Sequence, residues 1–174
     1  MLVGYRTDVL AWSPMGHALA FAHLPYDAPD RAESRPNLSR LTFCDPHMRE
    51  AYADWKANAQ DLVAYLRLAS GQHQDDPVLA SLIGELSVAS PEFARLWAKH
   101  TVRQCHGGIR HFRHPLAGSL ILTEEVMELT RDRGQHLVIF SAEPGTPSQD
   151  GLRLLAALTA EAGQGHAGAL TRLG

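Results

Sequence analysis

The residues that first suggest chemistry are cysteine and histidine side chains grouped between positions 105 and 114. The group consists of Cys105, His106, His111 and His114. Thiolate and imidazole are the ligands that Zn²⁺ prefers, but the spacing does not match a paired-cysteine finger. Gly107-Gly108 and Pro115 flank a stretch that is typical of a strand, in which His111 and His114 would point to opposite faces. We therefore expect no metal site here, although a zinc-dependent enzyme built on this stretch remains an alternative.

Signatures of other catalytic chemistry are weak. The sequence contains neither a Gly-x-Ser-x-Gly elbow nor a phosphate-binding P-loop. The adjacent acids Asp75-Asp76 are typical of a helix cap, and Glu124-Glu125 of a turn or a strand end. Nothing in the local sequence supports Cys44 as a nucleophile. We expect no enzymatic activity and no cofactor.

Aromatic side chains on two helical stretches are more informative. Phe93, Trp97 and His100 fall on one side of a helix, and Trp55 and Tyr65 lie on the preceding long helix. These side chains would line the space between helices and a sheet. They could be ordinary core, or they could form an apolar cavity with a few polar groups, which is the usual form of a small-ligand pocket.

Helical patterns fill the first half of the chain after one early strand, and strands follow. The spacing of Trp55, Ala59, Leu62, Leu66 and Ala69 predicts a helix over about 50–70. Ser13-Pro14, Asp76-Pro77 and Ser90-Pro91 are helix start signals. Strands are predicted at 8–12, 109–114, 119–123 and 137–142, and a closing helix at about 148–158. This order predicts an α+β domain with an antiparallel sheet.

Composition excludes several classes of protein. Sixteen Lys and Arg residues against 19 Asp and Glu residues give a net charge of −3, so the chain lacks the basic surplus of a nucleic-acid binder. No apolar run approaches the roughly 20 residues that span a bilayer, and the start of the chain does not resemble a signal peptide. Two cysteines fit a reducing compartment. We expect a cytoplasmic protein that does not enter a membrane.

An ordered series of sequence words carries a resemblance that extends from about residue 6 to 159. The words include Asp8-Val-Leu-Ala-Trp-Ser-Pro, Asn37-Leu-Ser-Arg-Leu-Thr-Phe-Cys-Asp-Pro, Leu62-Val-Ala-Tyr-Leu-Arg, Ser90-Pro-Glu-Phe-Ala-Arg-Leu-Trp and Ala142-Glu-Pro-Gly-Thr-Pro-Ser. Together they resemble the C-terminal ligand-binding domain of MmyB-like transcription regulators, which are actinobacterial helix-turn-helix proteins of the XRE family. The resemblance implies a PAS-like fold, with helices packed over one face of an antiparallel sheet. It also implies that a small, acyl-like or fatty-acid-like molecule controls DNA binding elsewhere.

The resemblance divides the chain into a sensor domain at 1–160 and a mobile tail at 161–174. The helix-turn-helix domain of the family is absent from this sequence, so DNA would be contacted only through an attached or partner domain. The residues predicted to bind the ligand are an apolar set and a polar set. The apolar set is Trp55, Tyr65, Phe93, Trp97 and Phe140, and the polar set is Arg40, His100 and Arg103. The alternative function is a module for dimerisation or protein interaction that binds no ligand. The chain is also expected to form a homodimer.

Overall fold

The computed structural model describes residues 1–99, 107–132 and 134–170. Two short strands open the chain, and helices follow. The strands are β1 (Leu2–Gly4) and β2 (Val9–Ala11), and the helices are α1 (Pro14–Ala20), α2 (Leu38–Cys44), α3 (Pro46–Ala51), α4 (Trp55–Gln72), α5 (Pro77–Ala89) and α6 (Pro91–Ala98). The second half contains β3 (Gly107–His114), β4 (Gly118–Glu128), β5 (Gln135–Ser141) and the closing helix α7 (Pro147–Leu170). The predicted α+β class with an antiparallel sheet is confirmed.

Helix starts follow the predicted capping chemistry. The side chains of Ser13, Asp76 and Ser90 accept hydrogen bonds from backbone N–H groups in the first turns of α1, α5 and α6. In each case proline occupies the next position, where its missing N–H costs nothing. Asp45-Pro46 both ends α2 and caps α3.

The sheet joins the start of the chain to its second half. Its strand order among the described residues is β2-β1-β5-β4-β3, and all neighbouring strands are antiparallel. β1 was not predicted, and it lies between β2 and β5. Glu124-Glu125 lies inside β4 rather than at a turn or strand end, so that prediction was wrong.

Side chains along β3 and β4 point alternately to an inner face of the sheet, beneath the helices, and to an outer face. Phe112, Leu120 and Leu122 point inward and are almost fully buried beneath the helices. The helix α7 packs against β4 where a Cβ on Gly151 would come within 2.4 Å of the Leu120 side chain, so only glycine fits there without displacement. α7 extends to Leu170, beyond the end predicted near residue 158. No helix in the described parts of the chain is long and apolar enough to cross a membrane.

A candidate ligand cavity between the helices and the sheet

A cavity of about 310 Å³ lies between the inner face of the sheet and the helices. Its volume is at the lower end of the range for small-molecule sites. Strands β1, β3, β4 and β5 form the floor, and helices α1, α2, α4 and α7 contribute the walls. The apolar side chains of the lining include Val3, Met15, Leu19, Leu38, Leu62, Val126, Val138, Phe140 and Leu152. Most of the lining is apolar, and a few polar groups project into it.

The principal charged group of the cavity is Arg110, which points inward from β3. Its guanidinium lies 2.7 Å from Asp61 Oδ2 on α4 and 2.7 Å from Glu124 Oε2 on β4. Burial alone would lower the pKa of Arg110, but Glu124 and Asp61 outweigh it and raise that pKa. The group therefore stays cationic and joins α4 to the sheet across the cavity.

A second polar contact joins α4 to β5. The Tyr65 hydroxyl lies 3.0 Å from His136 Nδ1, and the two rings meet edge to face. Burial raises the pKa of Tyr65, and the charge of Glu128 adds to the rise. Burial lowers the pKa of His136 against the opposing effect of Glu128. Both groups are therefore neutral near pH 7 and can exchange hydrogen bonds with a neutral ligand group.

Two of the predicted ligand-binding residues, Tyr65 and Phe140, line this cavity. Three others lie in the helical core and are not among its lining residues. Phe93 is fully buried between Phe43 and Trp97, with ring centroids 5.0 and 5.7 Å away. Trp55 donates its indole N–H to the Thr42 carbonyl at 2.9 Å. The structure thus divides the predicted apolar set between cavity and core.

The polar set is placed differently. Arg40 lies on α2, and its half-exposed guanidinium makes a bidentate ion pair with Glu85 at 2.8 and 2.7 Å. It does not line the cavity. His100 and Arg103 lie outside the described residues. That any of these three contacts a ligand therefore remains a prediction.

In the stretch 105–114, which was considered as a zinc site, the two histidines of β3 lie on opposite faces of the sheet, as strand geometry requires. His111 is exposed on the outer face of β3, whereas His114 is buried on the inner face. His114 uses both ring nitrogens within the protein: Nε2 lies 2.9 Å from the Ala18 carbonyl, and Nδ1 accepts from the backbone N–H groups of Leu116 and Ala117. Cys105 and His106 lie outside the described residues. The two described histidines cannot bind one ion together.

One glycine pattern in α7 has the spacing of a dinucleotide-binding loop. Gly163, Gly165 and Gly168 match Gly-x-Gly-x-x-Gly, but they lie within α7. That motif binds phosphate where it joins a strand to a helix N-terminus. The position of these glycines therefore gives no support to a nucleotide cofactor.

The ion triad of Arg110, Asp61 and Glu124 was not predicted from the sequence. A signal was present, because Arg110 alternates with Phe112 and His114 and so shares their inward face. An inward-pointing charge in a sheet needs a partner of opposite charge. Asp61 and Tyr65 are four residues apart on α4, which places both side chains on the helix face above the sheet.

Comparison with known protein families identifies the relationship. The family model described as the MmyB-like transcription regulator ligand binding domain matches residues 1–155. A search of curated proteins finds no match to the chain. The matched range contains β1 to β5, α1 to α6 and the first part of α7, and thus every cavity-lining residue in the described part of the chain.

Proposed function

The chain belongs to the family of MmyB-like transcription regulator ligand binding domains, and from this premise we propose that its cavity binds a small, mainly apolar molecule with an acyl-like chain. Binding would regulate DNA binding by an attached or partner domain of a cytoplasmic regulator. The observation that carries the proposal is the predominantly apolar cavity beneath the helices. Apolar walls with a few oriented polar groups are typical of small-ligand sites. The antiparallel sheet with its helical cover also supports the PAS-like description.

The charge of the lining favours an uncharged head group on the ligand. Arg110 is the cation of the ion triad, and its two carboxylate partners leave that cluster with a net charge of −1. A fatty-acid carboxylate would have to displace Asp61 or Glu124 from the guanidinium. A hydroxyl or amide could instead exchange hydrogen bonds with Tyr65 and His136 without that cost. We propose an acyl chain that ends in a neutral polar group.

Regulation would follow from a shift between arrangements of the helices. Walls of the cavity come from α1, α2, α4 and α7, and α1 also packs against α7. A ligand that fills the space between these helices stabilises the arrangement that encloses it best. The attached or partner DNA-binding domain would respond to that change in helix position.

The ligand proposal is tested by thermal unfolding with decanol, decanamide and decanoic acid, which share one chain and differ in head group. At a free concentration 100-fold above Kd, the stabilisation is about 2.7 kcal/mol. That corresponds to a rise in Tm of about 5–10 °C for a domain of this size. We expect the two neutral compounds to raise Tm more than the acid does. A larger rise with the acid would contradict the proposed head group.

Two phenylalanine substitutions on the same strand locate the binding site. Val126→Phe fills the cavity from the inner face of β4, whereas Ile121→Phe adds a ring to the exposed outer face. We expect Val126→Phe to abolish the decanol-induced rise in Tm and Ile121→Phe to preserve it. Each variant is compared with its own unliganded Tm, since overpacking alone costs about 1–3 kcal/mol. No rise for the wild type, or a full rise for Val126→Phe, would refute binding in this cavity.

A second function, homodimerisation through the outer face of the sheet, is favoured by the exposed side chains there. Ile109, Ile121, Met127 and Ile139 are 57%, 54%, 45% and 37% exposed on β3, β4 and β5. Several large apolar side chains exposed on one face of a sheet are typical of an interaction site. We propose a second copy of this chain as the partner because the charges on this face are self-complementary. Arg113 lies beside Ser119 near one end, and Glu125 lies towards the other. The two outer faces would meet across a two-fold axis that lies parallel to the sheet and crosses β4 near its middle. This axis would bring Arg113 of one copy to Glu125 of the other.

Sedimentation velocity tests the dimer. We expect Ile121→Lys to convert a wild-type dimer to a monomer, because it places an ammonium group in the centre of the apolar face. Val88→Lys is the matched control, since Val88 is 90% exposed on α5, away from the sheet. A monomeric wild type, or a dimeric Ile121→Lys variant, would refute this interface without affecting the ligand proposal.

A further inference from the structure

Two histidines and an aspartate converge outside the ligand cavity. His23 Nε2 lies 2.8 Å from Asp45 Oδ2, and His47 Nδ1 lies 3.0 Å from Asp45 Oδ1. One ligand atom from each of the three residues lies within 4.8 Å of the others. The imidazole rings of His23 and His47 are stacked nearly parallel, with centroids 4.4 Å apart. Three groups that bind transition metals therefore lie within one small volume. Because the two rings are parallel, one of them must turn before both nitrogen lone pairs can meet one ion.

The local backbone holds this cluster in place. Asp45 is the N-cap of α3, and its Oδ1 accepts the backbone N–H of His47 at 2.9 Å. The cap orients the carboxylate, and the same turn positions His47 two residues later. His23 comes from the separate segment that follows α1. An ion bound by all three would join that segment to the junction of α2 and α3.

A tetrahedral ion would require a local rearrangement of these three side chains. Zinc bonds of about 2.0–2.1 Å at the tetrahedral angle place neighbouring ligand atoms about 3.3 Å apart. His23 contacts Asp45 Oδ2 at 2.8 Å, whereas His47 contacts Oδ1 at 3.0 Å. Around one shared oxygen, one of these contacts must therefore widen by about 0.3–0.5 Å. The other ligand atoms, which lie within 4.8 Å of one another, must approach by up to about 1.5 Å. Rotation of the imidazole of His47, which is 65% exposed, can supply much of that change.

We propose that His23, Asp45 and His47 form a Zn²⁺ site with one carboxylate oxygen, His23 Nε2 and His47 Nδ1 as protein ligands and water as the fourth. His23 and Asp45 are mostly shielded, with side chains 19% and 18% exposed, whereas His47 opens to solvent and provides the entry route. Three protein ligands with one open position make a common zinc arrangement. The site is distinct from the cysteine-histidine stretch considered in the sequence, and it does not depend on the proposed ligand function.

The position of the site gives it a structural consequence. The helix α1 and its C-cap residue Phe21 line the ligand cavity, and His23 follows two residues later. A bound ion would fix the C-terminal end of α1 to α3. Zinc therefore stabilises the folded chain by mass action, and the stabilisation arises at the segment that carries one wall of the cavity.

Zinc binding is measured by titration calorimetry on tag-free protein, with Co²⁺ absorption as an independent readout of coordination. We expect one equivalent of Zn²⁺ to bind, Tm to rise, and Co²⁺ to give the visible bands of a four-coordinate site. His23→Ala and His47→Ala should each weaken binding at least tenfold and remove those bands. Both variants keep Asp45, so the cap of α3 is preserved.

His111→Ala is the matched control, because His111 is an exposed histidine on β3 outside the cluster. It removes one imidazole from the chain and should leave zinc affinity and the Co²⁺ spectrum unchanged. The proposal is overturned if the wild type binds no stoichiometric zinc. It is also overturned if His23→Ala and His47→Ala bind as tightly as the wild type, since the ion would then be held elsewhere.

Discussion

Replacing Arg110 with methionine is expected to lower the free energy of unfolding by about 3 kcal/mol. The substitution removes the counter-charge of both Asp61 and Glu124, whose side chains are only 27% and 14% exposed. Two carboxylates would remain close together in a poorly hydrated space, and the link between α4 and the sheet would be lost. Partial exposure of Asp61 keeps the expected loss at the lower end of the range for broken buried pairs. Urea unfolding at neutral pH measures the difference.

Arg113→Met is the matched control for this prediction. Arg113 lies on the same strand three residues later, but its side chain is exposed on the outer face. Its replacement should change the free energy of unfolding by no more than about 0.5 kcal/mol, measured at a protein concentration low enough to keep the chain monomeric. The double variant Arg110→Met/Glu124→Gln should recover part of the loss, since it removes one of the two uncompensated charges. Equal stability of Arg110→Met and Arg113→Met would show that the triad contributes no net stabilisation.

The helices could be predicted from sequence because their signals are local. The pairs Ser13-Pro14, Asp76-Pro77 and Ser90-Pro91 supply a capping side chain and a pre-formed φ angle within two residues. The apolar stripe of α4 is a property of one helix, and Trp55, Ala59, Leu66 and Ala69 are buried as it predicts. No distant part of the chain is needed to read these signals.

The strands were harder to predict because pairing in this sheet is non-local. β1 has only three residues, too few to show alternation, and it is held between β2 and a strand more than 130 positions away. β4 continues through Glu124-Glu125, which looks like a strand end when only polarity is considered. In the fold, Glu124 faces Arg110 on the inner side while Glu125 faces outward, so the acidic pair is compatible with a continuous strand.

The candidate site could be predicted only in part, because residue type does not distinguish a pocket wall from core. Tyr65 and Phe140 line the cavity, whereas Phe93 and Trp55 are aromatic residues of the same kind in the packed interior. The cavity is lined by elements from distant parts of the chain, among them β1 and α1 near its start and β5 and α7 in its second half. Which aromatic faces the cavity depends on how these elements meet, and periodicity within one helix does not contain that information.

Phe93→Ala is expected to lower the free energy of unfolding by about 4 kcal/mol, the cost of a large cavity in an aromatic core. Phe93 is fully buried and contacts both Phe43 and Trp97, so neighbouring rings cannot easily fill the space. Phe93→Leu should cost less, because it keeps most of the apolar volume. Chemical denaturation of both variants gives the two values.

The same variants decide between the two interpretations of Phe93. If Phe93 is core and not a ligand contact, decanol should raise the Tm of Phe93→Leu as much as that of the wild type, despite the lower starting Tm. The smaller substitution is used for this comparison because it stays well folded. If Phe93→Leu instead kept wild-type stability and lost the response to decanol, Phe93 would be a wall of the ligand site, as its aromatic character first suggested. The fully buried ring and its absence from the cavity lining favour the first result.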